Sequence, residues 1–401
     1  MNKRQVIILS SIAAVLAAAV AIVKFSQKDV SQAQTQRSPG QTLFEAFPAS
    51  DVANIDISGA TGSVTLQKAN DSWVVTNRDN YPANVQGILD FLRTVEELKI
   101  TQAIEAGPSF APRFGMDEKA SDAASRGITA TLKNADGKEL ATISLGKNIE
   151  QTGQASPMGG GPMTVGRYIR NHADESAFYA SSELFPSVSD EAPRWLKDEF
   201  ISPEKIQTIT LTKKDSKDVE WSLTRDTEEA EFKLVGAAAD EVANSTNTGP
   251  LKALFSYARF DDVVPAVQVK SRLAESGTRS ATLVTFEGFT YNVEITPAVN
   301  SAGQFLMKVS VNAELPTERK KAEGETAADA KTKDEAFAKR LKTLQDKLSK
   351  AKSFEGRVFE INPSTVEGLL KERKDMVTKA TAAPAPATGN GTPPPALQRP
   401  N

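Results

Sequence analysis

The stretch SDVANIDISGATGSVTLQKANDSWVV, residues 50–75, returns in altered letters as PEKIQTITLTKKDSKDVEWSLTRDTEEAEFKLV, residues 203–235. Val52, Ile55 and Ile57 share their spacing with Ile206, Ile209 and Leu211. Val64 and Leu66 answer to Trp221 and Leu223, and Trp73 and Val75 to Phe232 and Leu234. Apolar residues two apart, broken by Gly59 and Gly62 in the first copy, predict short half-buried strands joined by turns.

The likeness continues downstream in the same order. Ile88, Phe91, Leu92 and Val95, with Leu98 behind them, fall at helical spacing after Asn84 or the Pro82-Ala83 step. Leu251, Leu254, Phe255 and Ala258 have that spacing too and predict the matching helix. ITATLKNADGKELATISLG (128–146) predicts a hairpin turning at Asp136-Gly137, and ATLVTFEGFTYNVEI (281–295) one turning at Glu287-Gly288. GRYIRN and SAFYAS predict two more strands, and FPSVSDEAPRWLKDEF closes the first copy with a short helix. GQFLMKVSV (303–311) and GRVFEINPSTVEGLLKERK (356–374) stand at the equivalent places in the second. One shared order points to a tandem duplication rather than a solenoid, which needs more copies of a shorter period. The expected fold class is α+β: two related modules, 44–200 and 201–376, each a mainly antiparallel sheet with packed helices.

Two insertions break the symmetry. NIEQTGQASPMGGGPMTVG (148–166) is rich in Gly, Pro and Met, and MGGGPM (158–163) within it predicts a mobile loop. Residues 317–352 are charged, and their latter half places Phe337, Leu341, Leu344 and Leu348 along a narrow coiled-coil-like seam. About two heptads fall short of the three or four that mark a free coiled coil, so the helix either packs on its own domain or docks a partner.

The N-terminus carries a different message. Residues 6–23, VIILSSIAAVLAAAVAIV, hold no charge, and as a helix at ~1.5 Å per residue they come close to the thickness of a bilayer core. Val6, Ile7, Ile8, Leu9, Val15, Leu16, Val20, Ile22 and Val23 supply the greasy surface of this expected N-terminal transmembrane helix, a membrane anchor over 1–24. Lys3 and Arg4 precede it and place the N-terminus in the cytoplasm, with the bulk of the chain in the periplasm or otherwise outside the cytoplasm. A cleaved signal peptide ending near Ala19-Val20-Ala21 is the competing reading, and it exports the chain equally. Residues 25–43 read as a flexible polar stalk and 377–401 as a disordered Pro/Ala-rich tail.

Chemistry is sparse in this composition. Hydrophobic residues make up 39% and charged residues 25% of the 401, enough for real cores. A net charge of −3 without a basic face argues against nucleic acid as a partner. With no cysteine there are no disulfides, thiol nucleophiles or thiolate metal sites. His172 is the single histidine and sits in a polar turn, with no G-x-S-x-G elbow to complete a triad. MGGGPM (158–163) lacks the G-K-[ST] ending of a phosphate loop. Glu96-Glu97 and Asp261-Asp262 are neighbours in sequence and point apart, unlike carboxylates facing across a cleft. Trp73 and Trp221 stand where the other copy has Phe232 and Val64, the behaviour of core residues rather than of a sugar platform.

FPASDVANIDISGATGSVTLQKANDSWVVT, then YPANVQGILDFLRTVEELK, then FGMD (114–117) together resemble the bacterial family labelled domain of unknown function four-three-four-zero. Val52, Ile55, Ile57, Trp73, Pro82, Ala83, Phe114, Gly115 and Asp117 carry the likeness, and Met116 stands where leucine is usual. The resemblance covers residues 44–200 well and the second half loosely. It implies an envelope accessory role beside ABC-type transport components of the gliding-motility kind, and it supplies no catalytic residues. The expectation is therefore a single-pass inner-membrane protein held in the lipid bilayer. Its role is non-catalytic binding or scaffolding, with no cofactor, and its partners are ABC-type transporter components. The alternatives are a module binding a cell-wall polymer, glycan or peptidoglycan, and, behind it, a hydrolase using acidic residues.

Overall fold

The computed structural model describes residues 37–380 apart from 71, 156–161, 175–176, 300, 302 and 322–323. The chain divides into two compact units, Met1–Asp198 and Glu199–Asn401. Both are α+β with antiparallel sheets, as the alternating runs require.

Unit 1 contains β1 (Asn54–Ser58), β2 (Ser63–Ala69), β3 (Ser72–Val75), β4 (Tyr81–Pro82), β5 (Gln102–Ile104), β6 (Ile128–Lys133), β7 (Glu139–Ala155), β8 (Pro162–Asn171) and β9 (Phe178–Ser181). Its helices are α1 (Val85–Glu97) and α2 (Ala123–Arg126). Among the described residues the sheet order is β4-β3-β2-β1-β6-β7-β8-β9-β5.

Unit 2 contains β10 (Ile206–Thr212), β11 (Val219–Thr224), β12 (Lys233–Leu234), β13 (Glu241–Ala243), β14 (Asp262–Val264), β15 (Arg279–Thr285), β16 (Phe289–Pro297), β17 (Phe305–Ala313), β18 (Val358–Ile361) and β19 (Val377–Lys379). Its helices are α3 (Ser245–Thr248), α4 (Ala266–Arg272), α5 (Ala327–Lys352), α6 (Pro363–Leu370) and α7 (Arg373–Met376). Its main sheet runs β12-β11-β10-β15-β16-β17-β18-β14, the unit 1 order without a counterpart of β4.

The two sheets agree in register as well as order. Ile55 faces Leu66 on one side and Leu132 on the other, and Ile57 faces Val64 and Ala130. In unit 2, Ile209 faces Leu223 and Leu283, and Leu211 faces Trp221 and Ala281. Further across, Leu145, Ile169, Tyr179 and Ala103 form a row that unit 2 rewrites as Ile295, Met307, Phe359 and Val263. A slip of one residue would turn every one of these side chains to the other face, so shared register is a stricter agreement than shared order. Nearly all of them are fully buried, and each large aliphatic one contributes about 1.5–3 kcal/mol through burial.

α1 forms where its spacing predicts. Asn84 caps it by accepting from the Gly87 amide at 3.2 Å, and Ile88, Phe91, Leu92 and Val95 are its buried face. The matching helix expected in unit 2 does not form. Gly249-Pro250 interrupts it, leaving α3 and a 3-10 turn Gly249–Ala253, and Phe255 adopts a left-handed φ of 67°. Proline has no amide proton to continue the ladder, so Leu251, Leu254 and Phe255 reach the core from turns instead.

The flanks of the insertion at 148–166 form the far end of the β7–β8 hairpin, with Asn148 opposite Arg167 and Gln151 opposite Met163, while the loop expected at 158–163 lies largely outside the described residues. Their alternating Ile149, Met163 and Val165 suit a ladder that the Gly/Pro content conceals. The helix around Trp195 is a single 3-10 turn, Ala192–Trp195, entered through Pro193. At the supposed ends of the modules, Leu43 is fully buried and Val377–Lys379 pairs with β13, so the fold takes in part of the expected stalk and the start of the tail. Arg37 fixes the entry: it donates to Asp174 through Nε at 2.8 Å and Nη2 at 3.2 Å, and Tyr179 Oη donates to the same carboxylate at 2.9 Å. The tail beyond 380 lies outside the described residues.

Candidate functional site

His172 sits in a 3-10 turn between β8 and β9, and its ring reaches back over the sheet. Its Nε2 lies 2.7 Å from Ser144 Oγ, which is itself 2.9 Å from Thr129 Oγ1. Glu118 Oε1 is 4.0 Å from the same Nε2. Ser58, Arg126, Thr131, Glu139 and Thr142 complete a polar cavity of about 450 Å³. A serine–histidine hydrolase needs a carboxylate on the other ring nitrogen, to orient the imidazole and steady its charge. Here the carboxylate approaches the nitrogen that already faces the serine. Ser144 is buried mid-strand, opposite Thr129 on one side and Arg170 on the other. The geometry is that of a hydrogen-bonded lock between sheet and turn.

Burial and the nearby Arg170 hold the His172 imidazole below its ordinary value of 6.5, against the weaker pull of Glu118 and Glu139. The folded state therefore binds this proton less readily than the unfolded chain. Stability from His172 is present above about pH 6.5 and falls as pH drops through that value toward the folded one. His172→Gln keeps a partner for Ser144 and removes the titration. The expected outcome is a smaller loss of urea midpoint between about pH 7 and pH 5 than in the parent. An unchanged pH profile would remove His172 as the cause.

Unit 2 carries a cleft of about 460 Å³ between the 246–258 segment and α6. α6 packs closely on that segment: a Cβ on Gly368 would run into Leu251 Cδ2. Lys371 Nζ donates to Asn247 Oδ1 at 3.0 Å, and Asn247 Nδ2 donates to the Asp375 carbonyl at 2.7 Å. At the rim, Tyr257 is 96% exposed, two residues after the left-handed Phe255. Left-handed backbone at an aromatic residue is costly and recurs at ligand clamps.

Phe337, Leu341, Leu344 and Leu348 lie on α5 as the spacing predicts, and α5 packs against β17. Leu344 is buried and the other three are half-buried, so the seam faces its own unit. Lys347 Nζ pins the helix by donating to Glu204 and Glu287, both at 2.7 Å. Arg319 and Lys333 converge on Glu325 before the helix start and hold its carboxyl down to about 2.

The three tryptophans are buried, Trp195 donating to the Ser189 carbonyl at 2.8 Å and Trp221 to that of Lys371 at 3.0 Å. No sugar can stack on them from outside. Glu96 and Glu97 lie on the exposed side of α1, Glu97 paired with Arg93. No group of three or more metal-ligating side chains occurs among the described residues, and none of the helices described there is long and apolar enough to cross a membrane. The expected anchor, Val6, Ile7, Ile8, Leu9, Val15, Leu16, Val20, Ile22 and Val23, lies outside the described residues.

Sequence reasoning read His172 as a plain turn residue and missed Tyr257 altogether. Nothing near His172 in the chain points to Ser144, which is brought to it by strand pairing. A lone tyrosine after two buried residues gives no local signal of exposure.

Compared with known families, residues 73–278 match the one described as Domain of unknown function (DUF4340). No curated protein and no solved structure matches the chain.

Proposed function

The chain belongs to the family described as Domain of unknown function (DUF4340), and from that premise we propose a membrane-anchored envelope protein whose two sheet units act as non-catalytic binding or scaffolding modules. They serve as accessories to an ABC-type transport or gliding-related complex. The observation that carries this reading is the uncharged run 6–23 behind Lys3 and Arg4, joined by a polar segment to two units of one strand order. An anchor of that length holds the chain in a bilayer, and the basic flank sets the units on the far side. Two related modules offer repeated surfaces, the arrangement of a scaffold rather than of a single reaction centre.

The experiment is membrane fractionation followed by crosslinking in intact cells. The full chain is expected to stay with membranes through an alkaline wash. Leu16→Arg, which places a charge at the middle of the run at a cost of about 2.5–3.5 kcal/mol, is expected to release much of it. Protease added outside the inner membrane is expected to digest both units, and crosslinking to capture transporter subunits. A parent chain recovered in the soluble cytoplasmic fraction overturns the reading, as does an anchored chain that crosslinks to nothing but itself.

A further inference from the structure

The polar cavity beside His172 has a floor and walls of different kinds. Its floor is the open face of the unit 1 sheet. In the ladder Ser58 stands opposite Thr129, and Thr131 opposite Thr142, while their neighbours Ile57, Ala130 and Ile143 turn to the core on the other face. The floor is ordered by its own contacts: Thr142 Oγ1 donates to Glu139 Oε1 at 2.7 Å and lies 3.1 Å from Thr131 Oγ1.

The walls carry charge. Glu118 and Arg126 come from one short loop, which the Asp117 amide closes by donating to the Ser125 carbonyl at 2.8 Å. Asp122 caps α2 inside that loop, accepting from the Ser125 amide at 2.9 Å. Glu139 enters from the start of β7, and the His172 ring, held by Ser144, stands uncharged at neutral pH. Among the described residues the half-buried Arg126 guanidinium makes no hydrogen bond, ion pair or ring contact, although two carboxylates line the same cavity. Fixed groups of opposite sign, held apart across a cavity, call for a ligand that carries both signs. A simple anion would meet Arg126 and face two carboxylates. A simple cation would leave Arg126 without a partner. A neutral sugar gains most from an aromatic face, and no aromatic residue lines this cavity. The volume of about 450 Å³ is that of a small-molecule site.

We infer that this cavity binds a small zwitterion, an amino acid or a short peptide with both ends free. Arg126 holds the carboxylate of the ligand through charge-assisted hydrogen bonds, and Glu118 and Glu139 hold its ammonium. The row of hydroxyls, each able to donate and to accept, serves the remaining polar atoms. The inference stands whether or not the membrane reading holds, since it concerns unit 1 alone.

Isothermal titration calorimetry on the full chain in mild detergent tests this with L-alanine, dialanine and trialanine. At least one is expected to bind, and the longest that does separates a free amino acid from a peptide as the source. N-acetylalanine keeps only the carboxylate and alaninamide only the ammonium, and each is expected to bind about tenfold more weakly or worse. Arg126→Gln is expected to weaken binding about tenfold, and Glu118→Gln with Glu139→Gln by a similar factor. Glutamine at 139 keeps an acceptor for Thr142, and urea midpoints are read beside the affinities. The blocked probes need no variant, so the parent chain alone decides even where a substitution disturbs the unit. No heat from any of the three zwitterions up to about 10 mM overturns the proposal. Equal affinity for N-acetylalanine overturns it in favour of an anion site, and equal affinity for alaninamide in favour of a cation site. Binding that survives Arg126→Gln undiminished overturns it as well.

Discussion

Replacing Gly127 by alanine is expected to destabilise unit 1 by about 3–5 kcal/mol, while Gly137→Ala costs about 1–2 kcal/mol. Both glycines are left-handed, at φ 66° and φ 80°. They differ in surroundings. A Cβ at Gly127 would meet the Gly115 carbonyl and, at 2.5 Å, the Leu145 carbonyl, whereas a Cβ at Gly137 meets nothing within 4 Å. Backbone atoms held in a sheet cannot step aside as a flexible side chain can. Gly127 also pairs its φ with a ψ of −159°, a combination open almost only to glycine, so backbone strain adds to the clash there.

This crowding explains what the Phe114-Gly115-Met116-Asp117 motif is for. Gly115, at φ 68°, ends the 3-10 turn Pro108–Phe114, and its amide donates to the carbonyls of Ala111 and Pro112. Met116 then drops into a small core with Ala106 and Phe178, flanked by Phe110, Phe114 and Tyr168. The Asp117 amide donates to Ser125 at 2.8 Å and carries the chain into α2. Gly127 and Gly146 let this knot sit directly on β7. Hydrogen exchange read by mass spectrometry on the full chain checks the prediction: Gly127→Ala should speed exchange across β6 and β7 and leave β15 and β16 unchanged. Equal exchange in the two glycine variants would sink the account.

Phe359→Ala is the second large effect, expected to cost unit 2 about 3–5 kcal/mol. Phe359 is fully buried, with ring centroids of Phe200 at 4.9 Å, Phe260 at 5.2 Å and Phe354 at 6.0 Å. Removing it leaves a cavity and breaks several edge and tilted aromatic pairs, each worth about 0.5–1.5 kcal/mol beyond area. Phe359→Leu keeps much of the volume and is expected to cost less than half as much. Denaturant titration with a tertiary probe in unit 2 separates the two variants, and equal midpoints would show that the cluster does not act as packed core. The equivalent position in unit 1 is Tyr179, whose hydroxyl serves Asp174. Each copy thus keeps an aromatic ring at this point and uses it differently.

How far the fold can be read in the letters depends on whether the deciding contact is local. Ile55 and Ile57, Val64 and Leu66 announce strands because alternate side chains share a face, and the second copy repeats the pattern. Ile88 to Val95 announce a helix, and Asn84 supplies its cap. The same spacing at Leu251 to Ala258 misleads, since periodicity is blind to the proline at 250 and to the left-handed turn at Phe255. β5 and β14 escape notice because three residues are too few to show a period. Arg37 with Asp174, and Ser144 with His172, join residues far apart in sequence, and only strand pairing brings them together. The candidate sites belong almost wholly to this second kind.

Each main sheet tapers to very short outer strands. Unit 1 ends at Tyr81–Pro82 and Gln102–Ile104, unit 2 at Lys233–Leu234 and Asp262–Val264. Such margins give an incoming chain almost no row of free amides and carbonyls to zip onto. Strand addition at those outer margins is thus disfavoured, and a partner that meets the sheets there grips them by side chains and loops rather than by lending another ribbon of backbone.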